Sequence, residues 1–247
     1  MTAPAGWLSP PADLALGADE AHVWRLVLAQ PPHELASLAA TLSADERTRA
    51  ARFYFERDRT AFTAARGALR TLAGAYAGAA PAALVFGYRP KGKPYLDSPL
   101  GALRFNVSHS GDFALLAFTR RCEVGVDVEC RRPLQDLMML ANTSFSTHEY
   151  ATLCGIAPRD QTDAFFACWS RKEAFIKATG EGISQLADFD VTLRPGDPAR
   201  LLRVKNVAMA EHRWAMHELP AIPGHAAALV VEDPGIQIRC WDWPPGR

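Results

Sequence analysis

Apolar positions follow a helical period in two long stretches of the chain and alternate with polar ones through most of the rest. The order of the two patterns repeats. In the first stretch, Asp58 to Tyr76, the residues Phe62, Leu69 and Leu72 predict one buried stripe. Ahead of it Ser43, with Glu46 three residues on, is a cap-like start for a basic helical segment. Alternating, strand-like runs follow at Ala83 to Tyr88, Leu103 to Ser108, Phe113 to Thr119 and Glu123 to Glu129. Turn material at Pro90 to Pro94 and Ser110 to Asp112 divides them. The rhythm then returns. A segment from Thr147 to Cys154 and a helix from Asp160 to Thr179 precede strands near Phe189 to Leu193, Leu201 to Lys205, Arg213 to Leu219, Ala226 to Val231 and Ile236 to Trp241. Helices packed on antiparallel sheets, twice over, predict an α+β fold of two similar halves, each a long helix on a small antiparallel sheet.

Composition narrows the function classes. With 247 residues, 49% hydrophobic and 22% charged, the chain can bury one large core or two small ones and is not disordered. Lys plus Arg equals Asp plus Glu at 27 each, so no overall field points to nucleic acid or an anionic membrane, and any anion site must be local. Met1 to Leu16 lacks a basic region followed by an apolar core, and no window approaches about eighteen uninterrupted apolar residues. The expectation is a cytoplasmic protein. The five cysteines, Cys122, Cys130, Cys154, Cys168 and Cys240, match neither a CxxC pair nor a zinc ribbon and read as reduced structural thiols.

The chemistry concentrates in two segments about forty residues apart. In GVDVE, Gly125 to Glu129, strand alternation sends Asp127 and Glu129 to one face and Val126 and Val128 into apolar packing. In WSRKEAFIKATG, Trp169 to Gly180, the i,i+4 spacing puts Trp169, Glu173 and Lys177 on one helix face. Taken singly, these acids read better as a half-exposed strand face and a solvated helix pair. Their apolar surroundings favour a site: Val124, Val126 and Val128 on one side, Phe165, Phe166, Phe175 and Ile176 on the other. Three carboxylates, Asp127, Glu129 and Glu173, suit magnesium better than zinc, and magnesium commonly bridges a substrate's phosphates.

Other motifs are weaker. NVSHS, Asn106 to Ser110, sets Ser108 beside His109, but neighbouring strand residues face opposite ways and no G-x-S-x-G elbow exists, which argues against a hydrolase dyad. GYRPKGKP, Gly87 to Pro94, fails as a phosphate loop because Pro94 offers neither hydroxyl nor N–H. What remains is a cationic turn of Arg89, Lys91 and Lys93, shaped for an anion or simply solvated. Arg47, Arg49, Arg52, Arg57 and Arg59 alternate with Glu46, Glu56 and Asp58 and read mainly as a solvated helix face.

RFNVSHSGD at Arg104 to Asp112, GVDVE and WSRKEAFIKATG, in that order and spacing, resemble the three signature blocks of the Sfp-type 4'-phosphopantetheinyl transferases. GKP at Gly92 to Pro94 and RFYFERD at Arg52 to Asp58 resemble further family segments, so the likeness runs from about Leu42 to Ala187. The resemblance implies transfer of 4'-phosphopantetheine from coenzyme A to a serine of an apo acyl or peptidyl carrier protein, with release of adenosine 3',5'-bisphosphate. It implies a monomeric pseudo-dimer, here divided as residues 1–126 and 127–247, with the active site at the interface near Asp127. By the family pattern Asp127, Glu129 and Glu173 hold magnesium, or manganese in its place. Arg49, Lys93 and His109 grip phosphates of the coenzyme, Asn106 and Ser108 line its site, and Lys177 faces the pyrophosphate. Trp169 and Gly180 match positions read as packing. Asp127, Glu173 and Lys177 form the catalytic set, with Glu173 as the base, held ionised by metal and Lys177. Arg131, Arg132, Leu137, Met138, Met139 and Phe145 offer a docking surface to an acidic carrier, or Met138 and Met139 cap the second core. Two rivals stand beside this reading: a catalytically silent coenzyme A or carrier binder, and another magnesium-dependent enzyme of nucleotides.

Overall fold

A computed structural model describes residues 6–97, 103–205, 207 and 209–244. The first half runs β1 (Glu20–Val27), α1 (Pro32–Ala40), α2 (Ala44–Ala51), α3 (Glu56–Ala77), the short pair β2 (Phe86–Tyr88) and β3 (Pro94–Leu96), then β4 (Arg104–Ser110) and β5 (Phe113–Thr119). The second runs β6 (Val124–Cys130), α4 (Leu137–Ser144), α5 (Thr147–Cys154), α6 (Pro158–Thr179), the pair β7 (Phe189–Val191) and β8 (Leu201–Val204), a turn of helix α7 (Ala210–Arg213), then β9 (Ala215–Glu218) and β10 (His225–Val231). A last strand, β11 (Gln237–Asp242), follows. Apart from α7, the element order of the first half is repeated in the second. The sheets repeat it too: the orders β1-β5-β4 and β6-β10-β9 both place the third of these strands in the middle. This is the α+β pseudo-dimer the sequence predicts, with one parallel pair among the antiparallel ones, because β11 crosses back to lie beside β1.

Side-chain alternation builds four layers. On the first sheet Trp24, Leu116 and Phe118 pack beneath Ala65, Leu69 and Leu72 of α3. Its other face, with Val23, Leu115 and Ala117, meets Val124, Val126, Val128 and Leu229 of the second sheet. The outer face of that sheet carries Ala226, Ala228 and Val230 against α6 through Ala174 and Ala178. Both long helices have 22 residues and end on a left-handed glycine, Gly78 and Gly180.

The repeat reaches into the polar interior. Ser43 and Ser146 head α2 and α5 with capping boxes, and in each box the glutamate three residues on is buried. Glu46 takes the Nε–H of Arg70 at 2.5 Å, while Glu149 takes Lys172 Nζ at 2.6 Å. Arg70 and Lys172 stand at the same position of α3 and α6. One carboxylate thus both caps a short helix and pairs with a cation on the long one, so neither charge is buried without a partner.

Four elements lie outside the predicted pattern: β1, α1, β3 and α4. The predicted strand from Arg213 to Leu219 is split between α7 and β9, and the run from Ala83 opens on the last residue of a 3-10 turn, Pro81–Ala83, before β2.

Candidate active site

The two sheets meet edge to edge along β4 and β6, and side chains of β4 replace the missing ladder. Asn106 Oδ1 accepts the N–H of Val126 at 2.9 Å, Ser108 Oγ that of Val128 at 3.4 Å, and Ser110 Oγ that of Cys130 at 3.0 Å. Alternation on β4 aims all three residues one way, so that they close the open edge of β6. Above this seam α6 comes down almost onto β6. A Cβ on Gly125 would lie 2.1 Å from the carbonyl oxygen of Ala174 and 2.3 Å from the amide nitrogen of Ala178, so only glycine permits the approach. That closeness brings Lys177 onto Asp127 and Glu173 within electrostatic reach of Glu129.

Asp127 is 2% exposed. Its Oδ1 accepts from Lys177 Nζ at 2.6 Å and from Ser108 Oγ at 2.7 Å, while its Oδ2 is buried with no hydrogen-bond partner. Burial pushes its carboxyl up to about 7, against the pull of Lys177 and with a push from Glu129. Glu173 is also raised, first by burial, opposed by Lys177 and assisted by Glu129. Glu129 is half-buried, and its Oε2 accepts from Ser110 Oγ at 3.0 Å. The site therefore crowds carboxylates and is short of positive charge.

Among the described residues no group of three or more His, Cys, Asp or Glu is gathered closely enough to hold a metal ion, and Lys177 sits on Asp127. The donor set still fits a hard divalent cation. It is all oxygen, it carries an unpartnered buried oxygen on Asp127, and burial raises the Asp127 carboxyl, a shift that a cation would reverse.

Val107 and His109 alternate to the other face of β4. His109 joins Arg49 in a cleft of about 640 Å³ that also includes Phe53, Phe62 and Asp112. The Arg49 guanidinium lies over the Phe62 ring, 5.2 Å from its centroid. The structure thus brings together two of the three residues expected to grip phosphate. Lys93 is not with them. It is 9% exposed, and its Nζ donates to Glu123 Oε2 at 2.7 Å and to the carbonyls of Val124 and Ala178 at 3.2 and 2.7 Å, which uses every ammonium proton. Burial lowers its pKa, partly offset by Glu123. The cationic turn is a clasp between the halves: Arg89 Nη2 also binds Glu123 at 2.6 Å, and Lys91 Nζ binds the carbonyl of Glu181 at 2.5 Å. Two of these lysines satisfy carbonyls at and just beyond the C-terminus of α6, where cations are favoured.

Asn106 and Ser108, expected to line the coenzyme site, are buried in the seam. Trp169 stacks on Phe165 with centroids 5.8 Å apart, and Gly180 takes φ 75°, as the packing reading requires. In the segment read for docking, Leu137 and Phe145 are buried, Met138 packs against the second core, and Met139 is 60% exposed. Ser110 and Glu123 were missed by the sequence reading. Ser110 continues the alternation of Asn106 and Ser108, the one signal that could have found it.

Comparison with known proteins agrees with this arrangement. A family model described as "4'-phosphopantetheinyl transferase superfamily" matches residues 123–230, and one described as "4'-phosphopantetheinyl transferase, N-terminal" matches residues 29–121. The chain is 40% identical over 239 residues to the 4'-phosphopantetheinyl transferase HetI of Nostoc sp., covering 96% of this chain and 98% of that one. It is 36% identical over 158 residues to the 4'-phosphopantetheinyl transferase of Bacillus subtilis, covering 64% of this chain and 69% of that one. A more distant relative, the L-aminoadipate-semialdehyde dehydrogenase-phosphopantetheinyl transferase of Pongo abelii, is 28% identical over 210 residues, 78% of this chain and 68% of that one. With a relative matched end to end and both halves recognised, the chain belongs to the 4'-phosphopantetheinyl transferase superfamily and is a transferase of that family.

Proposed function

We propose that the protein transfers the 4'-phosphopantetheine arm of coenzyme A to a serine of an apo acyl or peptidyl carrier protein, releasing adenosine 3',5'-bisphosphate. The reading includes a magnesium ion, or manganese in its place, held by Asp127, Glu129 and Glu173. The observation that carries it is the unpartnered oxygen of Asp127 beneath Lys177, with burial raising the carboxyls of Asp127 and Glu173. A bound divalent ion would supply charge neutralisation at the pyrophosphate.

The chain's own residues supply the rest. Arg49 and His109 hold phosphates of the coenzyme in the cleft beneath α2 and α3. Lys177 reaches the pyrophosphate and offsets the charge that gathers on it as it leaves. Glu173 takes the proton of the carrier's serine hydroxyl, directly or through a water, while the serine oxygen bonds to the pantetheine-side phosphorus. The phosphorus–oxygen bond to the nucleotide moiety then breaks, and the nucleotide departs with its electron pair. Lys93 acts on the site from behind, by fixing the end of α6 that carries Lys177.

The halves are proposed to meet at this site, with residues 1–126 on one side and 127–247 on the other. β6 spans that boundary as one strand and β11 returns to the first sheet. One chain then contains both sides of its active site, which supports a monomer. Among the described residues no helix is long and apolar enough to cross a membrane. We take the enzyme to act in the cytoplasm on coenzyme A and apo carriers, with no nucleic-acid or membrane partner.

The test is intact-protein mass spectrometry of a panel of apo carriers incubated with the protein, coenzyme A and magnesium. A gain of roughly 340 Da, one phosphopantetheine arm, is the expected result. No gain on any carrier, with coenzyme A still bound, would leave a silent binding module instead.

A further inference from the structure

The seam between β4 and β6 does more than join sheets. Its three rungs share a spacing: Asn106, Ser108 and Ser110 accept the N–H groups of Val126, Val128 and Cys130. The β6 residue just before each of these is in turn Gly125, Asp127 and Glu129. A serine stands where that residue is an acid, and an asparagine where it is glycine.

The direction of each serine proton follows from its partners. A hydroxyl has one hydrogen to donate and lone pairs to accept with. Ser108 Oγ receives the N–H of Val128 and, at 2.9 Å, the Nζ–H of Lys177, both of which can only donate. Its own hydrogen must then go to Asp127 Oδ1, 2.7 Å away. Ser110 Oγ receives the N–H of Cys130, so its hydrogen goes to Glu129 Oε2 at 3.0 Å. Each carboxylate is thus held at one oxygen by a hydroxyl that the backbone of its own strand has oriented. On Asp127 this leaves the opposite oxygen unpartnered.

We infer that Ser108 and Ser110 are positioning residues for the metal-holding carboxylates, fixing one oxygen of Asp127 and of Glu129 so that the other is presented to the cation. This rests on the metal reading given above. Groups that orient ligands in this way typically account for about 10–100-fold in metal affinity.

The test titrates Mn²⁺ into the full-length protein, with and without coenzyme A and in the absence of carrier, reading free Mn²⁺ by electron paramagnetic resonance. Thermal midpoints are measured in parallel. S108A and S110A are expected to weaken Mn²⁺ binding about 10–100-fold, and S110T, which keeps the hydroxyl at a half-buried position, to restore it to within about twofold. Because S108A lies in the buried seam, S110A at its edge carries the decision. Folded S110A with wild-type Mn²⁺ affinity would overturn the inference and leave the serines as joinery alone. Wild-type protein that binds no Mn²⁺ in either condition would instead overturn the metal reading itself, and this inference with it.

Discussion

Lys177 Nζ lies 2.6 Å from Oδ1 of Asp127, and the other oxygen of that carboxylate is buried without a partner. The pair is therefore only half of what the carboxylate can bind, and burial of its charge works against the fold in order to serve the site. Asp127→Asn should separate the two. Transfer should fall by at least about 10²–10³-fold, the range for losing one preorganised electrostatic contact. The metal-free variant should melt at the same or a higher temperature at pH 8. There the raised carboxyl of the wild type is ionised and bears the cost of a buried charge, while the amide has no charge to bury. Normal turnover in this variant would remove Asp127 from the mechanism.

Gly125 is the position where β6 and α6 touch. A methyl group there would sit 2.1 Å from a helix carbonyl oxygen, and backbone on both sides leaves nothing flexible to yield. Gly125→Ala should cost about 3 kcal/mol or more in unfolding free energy by denaturant titration. It should also lower kcat, because α6 must lift away with Glu173 and Lys177.

Much of this was readable from local pattern. The two acids on one face of β6 and the Glu173, Lys177 pair on α6 needed only the strand and helix periods, and Val126 and Val128 are buried as alternation required. Other features depend on partners far along the chain. In β1, His22 and Arg25 break the apolar pattern, yet His22 is 2% exposed because Tyr76 meets it at 2.7 Å, and Arg25 pairs with Asp242 at 2.8 Å. No window around β1 contains those partners. Lys93 misled for the opposite reason: a lysine in a turn of cations reads as exposed, and only the fold reveals that two α6 and β6 carbonyls and Glu123 surround it.

That distinction is testable at Lys93. If it is a clasp, Lys93→Ala leaves Glu123 half-buried with one cation fewer and Ala178's carbonyl unmet. The thermal midpoint should then drop by several degrees, as expected for about 1–3 kcal/mol. A pure phosphate ligand would instead raise the KM for coenzyme A and leave the midpoint in place.

Arg49 offers the contrasting case. Its side chain is exposed at the cleft and rests on Phe62, so removal disturbs little packing. Arg49→Ala should raise the KM for coenzyme A about 10- to 100-fold, the worth of one or two hydrogen bonds to a charged group, with kcat and thermal midpoint nearly unchanged. An unchanged KM would place the coenzyme's phosphates elsewhere.

The capping-box glutamate of the first half predicts how stability responds to acid. Burial pushes the Glu46 carboxyl up, but Arg70, the N–H of Ser43 and Arg66 outweigh it and hold it below the ordinary 4.5. A group depressed in the fold contributes stability that is fully present above its unfolded value. As pH falls below 4.5 the unfolded chain takes up the proton first, and the contribution is lost by the time the folded carboxyl is protonated as well. Glu46→Gln should therefore melt below the wild type at pH 7, with the gap narrowing as pH is taken from about 5 toward 3. Thermal midpoints of both proteins across that range decide it: a gap that stays constant with pH would mean that Glu46 acts through packing and its cap, and that its charge contributes nothing.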